Sequence, residues 1–201
     1  IQANEAIGQA TVPTNVETVT FLRGYYESGD GGLFTACGET SRRRVTSVDP
    51  ATAAALAQAN ATLDRPRFLM AEGNLRGRDE VEIGRFNIIS GDAWTCESRL
   101  KDIVLGARGI DVLWNIEVTP AAVTFVPAPA ATPEVRAYAG FDTASDGLIL
   151  KIGEADTEFS AHLRAEACVE ALTDTTFGWS ILVSAKNHAY KGCAWRGLAA
   201  P

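Results

Sequence analysis

The chain has 201 residues, 46% of them hydrophobic and 21% charged, and a formal net charge of −7 at pH 7. Residues 1–105 carry 11 basic and 14 acidic groups and residues 106–201 carry 7 and 11, so the halves stand at −3 and −4. An acidic chain lacks the basic footprint that phosphate backbones require, which excludes nucleic acid as the expected partner; no apolar run approaches the roughly 18 residues of a membrane-spanning helix.

Residues 1–14 are polar, with neither a positive n-region nor an apolar h-region. They are expected to be a flexible segment, the mature end of a processed export substrate or of a trimmed fragment. A lipid anchor on a precursor Cys ahead of Ile1 is compatible with this. Val16–Tyr26, rich in β-branched and aromatic residues, is the first predicted strand. Ser28-Gly29-Asp30-Gly31-Gly32 is a turn, because glycine adopts positive φ freely and Asp tolerates it. Leu33–Cys37 returns as a hairpin strand and Arg42–Val48 is a third strand. The period then changes: Asp49 suits an N-cap, Pro50 the first helical position, and Ala51–Leu63 has high helix propensity. Arg67–Arg76 and Glu80–Ile89 are strands joined at Gly77-Arg78-Asp79, and a slip of the apolar phase near Gly84 predicts a bulge. Three strands, a helix and two strands are the order of an OB-fold-like barrel, assigned to residues 15–105.

Residues 97–110 read as a connector. Beyond it Asp111–Val118, Ala122–Val126, Glu134–Ala139, Leu148–Ile152, Phe159–Glu166, Trp179–Ala185 and Tyr190–Trp195 are predicted strands. The Pro/Ala loop Val126–Pro133 cannot enter a central ladder. This spacing predicts a second antiparallel barrel or curled sheet over residues 106–201. The expected fold is therefore mainly β, with two small antiparallel barrel-like domains.

Cys37, Cys96, Cys168 and Cys193 contain no C-x-x-C pair, which disfavours a redox motif or zinc ribbon. An even number of cysteines suits an oxidising compartment. Of three pairings, Cys37–Cys96 and Cys168–Cys193 are favoured, because each then lies within one half; each closes a loop worth roughly 3.5–4 kcal/mol of chain entropy. Free thiols, or a metal held by Cys168, His188 and Cys193, are the weaker alternatives.

No constellation reads as catalytic, and no cofactor motif is present. Ser184, His188 and Asp174 offer the residue types of a hydrolytic triad, without a nucleophile elbow. His162 and the carboxylates Asp79, Glu80, Glu82, Asp142 and Asp146 read as surface or strand-face groups. Arg42-Arg43-Arg44 is the one dense basic feature, either a polyanion contact or the charged guard of an edge strand. The aromatics Trp114, Tyr138, Phe141, Phe177, Trp179 and Trp195 form a core or line a pocket for an apolar or sugar ligand. The sequon Asn60-Ala61-Thr62 closes the predicted helix.

The pattern Cys168-x-Glu170-x-Leu172-Thr173-Asp174-x-x-Phe177-Gly178-Trp179, with Gly192-Cys193 after it, is similar in spacing to a motif of uncharacterised bacterial envelope lipoproteins. Their residue types are an acid, Met and Ser, then Tyr-Pro-Tyr. Gly109–Val118 resembles the Gly-Asn-Glu-Pro-Phe-Trp strand of the same family, and Gly24-Tyr25-Tyr26 through Phe34-Thr35-Ala36-Cys37 is similar to an NlpE-like opening. The resemblance implies a protein of the periplasm or outer-membrane periphery with a small barrel in each half. The C-x-x-C of NlpE is missing, so copper binding and thiol sensing are not carried over. The function expected is a non-enzymatic envelope protein binding another envelope protein; the alternative is a carrier of a small apolar or lipid-like ligand in the second domain.

Overall fold

Period-two alternation builds the first barrel. In Phe21–Glu27 (β1), Leu33–Ala36 (β2) and Arg42–Val48 (β3), the side chains of Leu22, Phe34 and Val45 point inward. The computed structural model describes residues 21–29, 31–60, 65–153 and 158–200. The N-terminal segment, the opening of the first predicted strand, Asp30, the last three residues of the predicted helix and Ala61-Thr62 of the sequon lie outside the described residues. Pro50–Asn60 (α1) follows β3 and is capped by Asp49, whose Oδ1 accepts the Thr52 N–H at 3.0 Å. Arg67–Arg76 (β4) and Glu80–Ser90 (β5) complete a closed order β1-β2-β3-β5-β4, with β4 pairing back onto β1. The β3–β5 pair is parallel and the others antiparallel. Phe34, Leu69, Val81, Ile83 and Phe86 fill the interior, and Ala55 and Leu56 of α1 pack into it.

Two features of this barrel bear on the expectations. The predicted slip in β5 is present: Ala71 pairs with Phe86 while Gly73 pairs with Ile83, and Met70 pairs with Ile88. The Thr52 hydroxyl donates to the Gly84 carbonyl and accepts the Phe86 N–H, both at 2.9 Å, so backbone groups freed by the bulge stay bonded. The edge-strand reading of Arg42–Arg44 is corrected, because β3 lies between β2 and β5 and closure leaves it no free edge.

Leu105–Gly109 (β6), Asn115–Val118 (β7), Ala122–Val126 (β8), Glu134–Ala144 (β9), Gly147–Ile152 (β10) and Phe159–Arg164 (β11) lead into the second barrel. Cys168–Glu170 (β12), Thr175–Phe177 (β13), Trp179–Ala185 (β14) and His188–Arg196 (β15) end the chain. Eight of these close in the order β10-β11-β14-β15-β6-β7-β8-β9. Lys186 and Asn187, both at positive φ, form the tight turn between β14 and β15.

The connector over residues 97–110 is likewise corrected, because it contains β6. Its two glycines lower strand propensity, but close neighbours require them. A Cβ on Gly106 would stand 2.3 Å from the indole of Trp195, its cross-strand partner. A Cβ on Gly109 would stand 1.8 Å from the Val112 carbonyl oxygen and 2.6 Å from the Trp114 ring. The predicted strand Asp111–Val118 correspondingly starts only at Asn115: the Gly109 N–H donates to the Trp114 carbonyl at 3.0 Å, turning 110–113 out as a loop.

β12 and β13 leave the second barrel. Their hairpin pairs with β5, Phe177 opposite Ile88, and extends the first sheet to seven strands. A division of the chain near residue 105 does not anticipate this exchange. It explains why β4 is apolar on both faces: Leu69 and Ala71 face the barrel interior, while Phe68 and Met70 pack with Ile88, Trp94, Leu100 and Phe177 under the hairpin. Asn87, buried at the β5 irregularity, donates to the Arg196 carbonyl at 2.7 Å and accepts the Arg196 N–H at 2.8 Å, joining β5 to the end of β15.

Candidate interaction surface

The junction between the barrels is held by named groups. Cys168 in β12 is bridged to Cys193 in β15, and Cys37, after β2, to Cys96 in the loop after β5, with Cα separations of 5.4 and 5.5 Å. Both are the favoured pairings. Arg108 of β6 reaches across to the hairpin, where Glu170 accepts its hydrogen bond and Thr173 bonds to Glu170 in turn. Its guanidinium lies 5.2 Å from the ring centre of Phe177 and 5.8 Å from that of Trp195. Burial pulls this guanidinium below its ordinary pKa, and Glu170 opposes that shift. Phe177 and Trp195 stack at 5.1 Å, with Trp94 edge-on to both. Asp174 accepts from Arg67, which is fully buried. Arg85 lies 4.6 Å above Trp179 and donates to the Gly178 carbonyl at 2.9 Å.

Almost every residue of the Cys168–Trp179 motif therefore has a packing or bonding role at this junction. Leu172 is the exception: it sits on the 3-10 turn 171–173 at the hairpin tip and is 88% exposed. It is not alone. Of the nine large apolar residues exposed among the described residues, seven fall on adjoining segments: Ile149, Leu182, Ile110, Val112, Leu113, Val169 and Leu172. The ladder explains the first group. Ile149 pairs with His162, His162 with Leu182 and Leu182 with Lys191, one lateral row across the outer face of β10, β11, β14 and β15. Ile110, Leu182 and Cys168 line one cleft of about 320 Å³, which joins that row to the hairpin. A second cleft, about 370 Å³, runs between the 110–113 loop and the hairpin; Leu113, Trp114, Val126, Pro129 and Glu170 line it.

The sequence-selected residues divide differently from either expectation. Trp114 belongs to the second barrel's interior, packed edge-on to Phe125 and Tyr190, with Phe159 against Phe125. Tyr138 packs on Phe141, and burial raises its phenol pKa. Phe177 and Trp195 are at the junction, and Trp179 lies against Arg85. The six aromatics thus serve three separate places, and the barrel interior is occupied by side chains. Arg42, Arg43 and Arg44 each face a carboxylate, Glu27 at 3.6 Å, Glu39 at 2.5 Å and Glu80 at 2.5 Å.

Two of the three triad residues share a site. Ser184 and His188, both exposed, line one cleft of about 470 Å³ with Glu158 and Ser160, and no hydrogen bond joins the Ser184 hydroxyl to the His188 ring. Asp174 is at the junction with Arg67. The weaker metal alternative loses its thiolates, since Cys168 and Cys193 are bonded to each other.

Sequence reasoning missed the apolar face. Val112-Leu113 and Val169 with Leu172 are apolar residues beside turn signals, where an outward-facing side chain has no core to enter. That is the one local sign they carry. No family model, curated protein or solved structure matches the chain.

Proposed function

We propose that this chain is an exported, non-enzymatic protein of the bacterial cell envelope, in the periplasm or at the outer-membrane periphery, that acts by binding another envelope protein. The single observation that carries the reading is the face where seven of the nine large apolar side chains exposed among the described residues gather beside two clefts. Exposed apolar patches of this extent mark interaction sites on soluble proteins. Two disulfides support an oxidising compartment. Among the described residues no helix is long and apolar enough to cross a membrane. The strand order, the parallel β3–β5 pair and the helix between β3 and β4 support reading the first barrel as an OB-fold, and the motif spacing supports kinship with NlpE-like envelope lipoproteins. The filled interior of the second barrel favours recognition at the surface over carriage of a ligand inside it.

The test is affinity capture from envelope extract by the tagged chain and by its Leu113→Asp/Leu172→Asp variant. A protein retained by the parent and lost from the variant is expected. Equal retention by both refutes the surface.

A further inference from the structure

Closure of the second barrel leaves one strand longer than its neighbour. β9 has eleven residues and β8 five, and their shared ladder ends with Ala122 opposite Ala137. Residues 139–144 therefore pair with β10 on one side and, among the described residues, with no strand on the other. Hairpin geometry fixes which groups this leaves free. Ser145-Asp146 is a two-residue turn, so Ala144 and Gly147 form the hydrogen-bonded closing pair, and Asp142 with Ile149 the next such pair. The N–H and C=O groups of Phe141 and Thr143 accordingly point away from β10, along an open edge. Sheet edges are usually blunted by Lys, Pro or a bulge. Residues 141–144 contain neither Lys nor Pro, and the irregularity of this ladder falls before them, at Ala139. We infer that a partner protein adds an extended segment to this edge as a further strand, with a basic residue facing Asp142 and apolar, β-branched residues on either side of it. The inference rests on the reading of the neighbouring apolar row as an interaction surface, and states the form its partner takes.

The edge itself selects this occupant. Backbone donors and acceptors repeating every second residue are matched by another extended backbone. Asp142 stands opposite Ile149, at the end of the outer row that continues through His162 and Leu182. An added strand lengthens that row, so the edge and the apolar face form one surface. Asp142 is exposed, and so is Lys151, 3.3 Å from it. A pair in solvent is weak, which leaves the carboxylate open to a second cation, and a basic segment suits a chain of net charge −7. Phe141 and Thr143 lie on the other face, opposite Leu150 and Leu148. Phe141 is half-buried against the barrel core, so a β-branched residue beside it extends that packing. The same geometry disfavours a second copy of the chain. Two-fold pairing that engages Phe141 and Thr143 of both copies sets Asp142 directly opposite Asp142, and like charges so placed are destabilising.

The probe is the peptide acetyl-Val-Thr-Val-Lys-Val-Thr-Val-amide, titrated to about 5 mM into the isotope-labelled chain and followed by backbone amide shifts. Saturable binding with a Kd of about 1 mM or tighter is expected. The largest shifts, and slowed hydrogen exchange, should fall at the amides of Phe141 and Thr143. N-methylation of the two valines that flank the lysine removes the donors facing β9 and should weaken binding about tenfold. Thr143→Pro removes a donor that the native ladder does not use, so it should weaken binding about as much while melting with the parent. Thr143→Ala, which keeps the backbone, should bind as the parent does. No shift at the highest concentration, or equal binding of the N-methylated peptide, overturns strand addition with the protein itself unaltered. Equal binding of a peptide with Asp in place of its Lys overturns the basic residue. Self-association of the parent that Thr143→Pro abolishes puts a second copy on the edge and overturns the partner protein. In each of these events, loss of capture from envelope extract by Leu113→Asp/Leu172→Asp leaves the interaction face standing, and equal capture removes it as well.

Discussion

Replacing Asn87 with alanine should destabilise the two barrels together by about 3 kcal/mol. Its amide makes two hydrogen bonds to the backbone of Arg196, at 2.7 and 2.8 Å, from a site that is almost wholly buried. Two such bonds contribute about 1 kcal/mol each, and leaving the half-buried N–H and carbonyl of Arg196 without partners adds about 1 kcal/mol more. The Asn87 carbonyl still accepts the Gly178 N–H at 2.9 Å, so the β5–hairpin contact survives, and besides the bonds between barrels the variant loses a 3.3 Å contact from Asn87 Nδ2 to Met70 Sδ. Urea unfolding followed by tryptophan fluorescence is the assay, with Trp94 and Trp195 both at the junction. The expected result is one transition with an unchanged slope and a lower midpoint, because barrels joined through a shared apolar cluster unfold as one unit. Faster exchange of the Arg196 amide should accompany it. A loss below about 0.5 kcal/mol, the size of a neutral surface change, or two transitions of which one moves, would refute the reasoning.

Gly106→Val should cost about 2–3 kcal/mol by overpacking, since even a Cβ there meets the Trp195 ring at 2.3 Å. The cost should shrink in a Trp195→Ala background, and equal costs in both thermal melts would show that the ring is not the obstacle. Glu134 accepts hydrogen bonds from Lys186 at 2.7 Å and Arg136 at 2.9 Å, and these hold its carboxyl below the ordinary carboxylate value. A depressed folded pKa means that the unfolded chain binds more protons; the stabilisation is complete above roughly pH 4.3 and is lost as pH falls through the lower folded value. The stability gap between the parent and Glu134→Gln should therefore narrow on acidification from about pH 5 to pH 3. A gap that stays constant in chemical unfolding across that range counts against the assignment.

Much of the fold was legible from local signals. Arg42–Val48, Arg67–Arg76, Ala122–Val126 and Trp179–Ala185 have the observed strand limits. The Asp49 cap, the Pro50 start and the slip near Gly84 are likewise present, because each depends on residues a few positions apart. Both disulfides follow the expected pairing. The candidate site was much less legible. The aromatic set looked like one cluster in sequence, yet strand alternation and the exchanged hairpin send its members to the barrel interior, the junction and the Arg85 contact.

What the sequence by itself determined is the strand-rich composition and the turns, set by short-range sterics and hydrogen bonding, together with the even cysteine count that the two disulfides use. Only the tertiary structure decided that Leu105–Gly109 is a strand, since Gly106 is needed there by the Trp195 ring from β15. It alone decided that Cys168–Phe177 joins the first sheet instead of the second barrel. The apolar face arises in the same way: Ile149, Leu182 and the Ile110–Leu113 loop are distant in sequence, and cross-strand register brings Ile149 and Leu182 into one row whose cleft reaches Ile110. Register is a long-range property, and a residue's exposure follows from the face it is assigned.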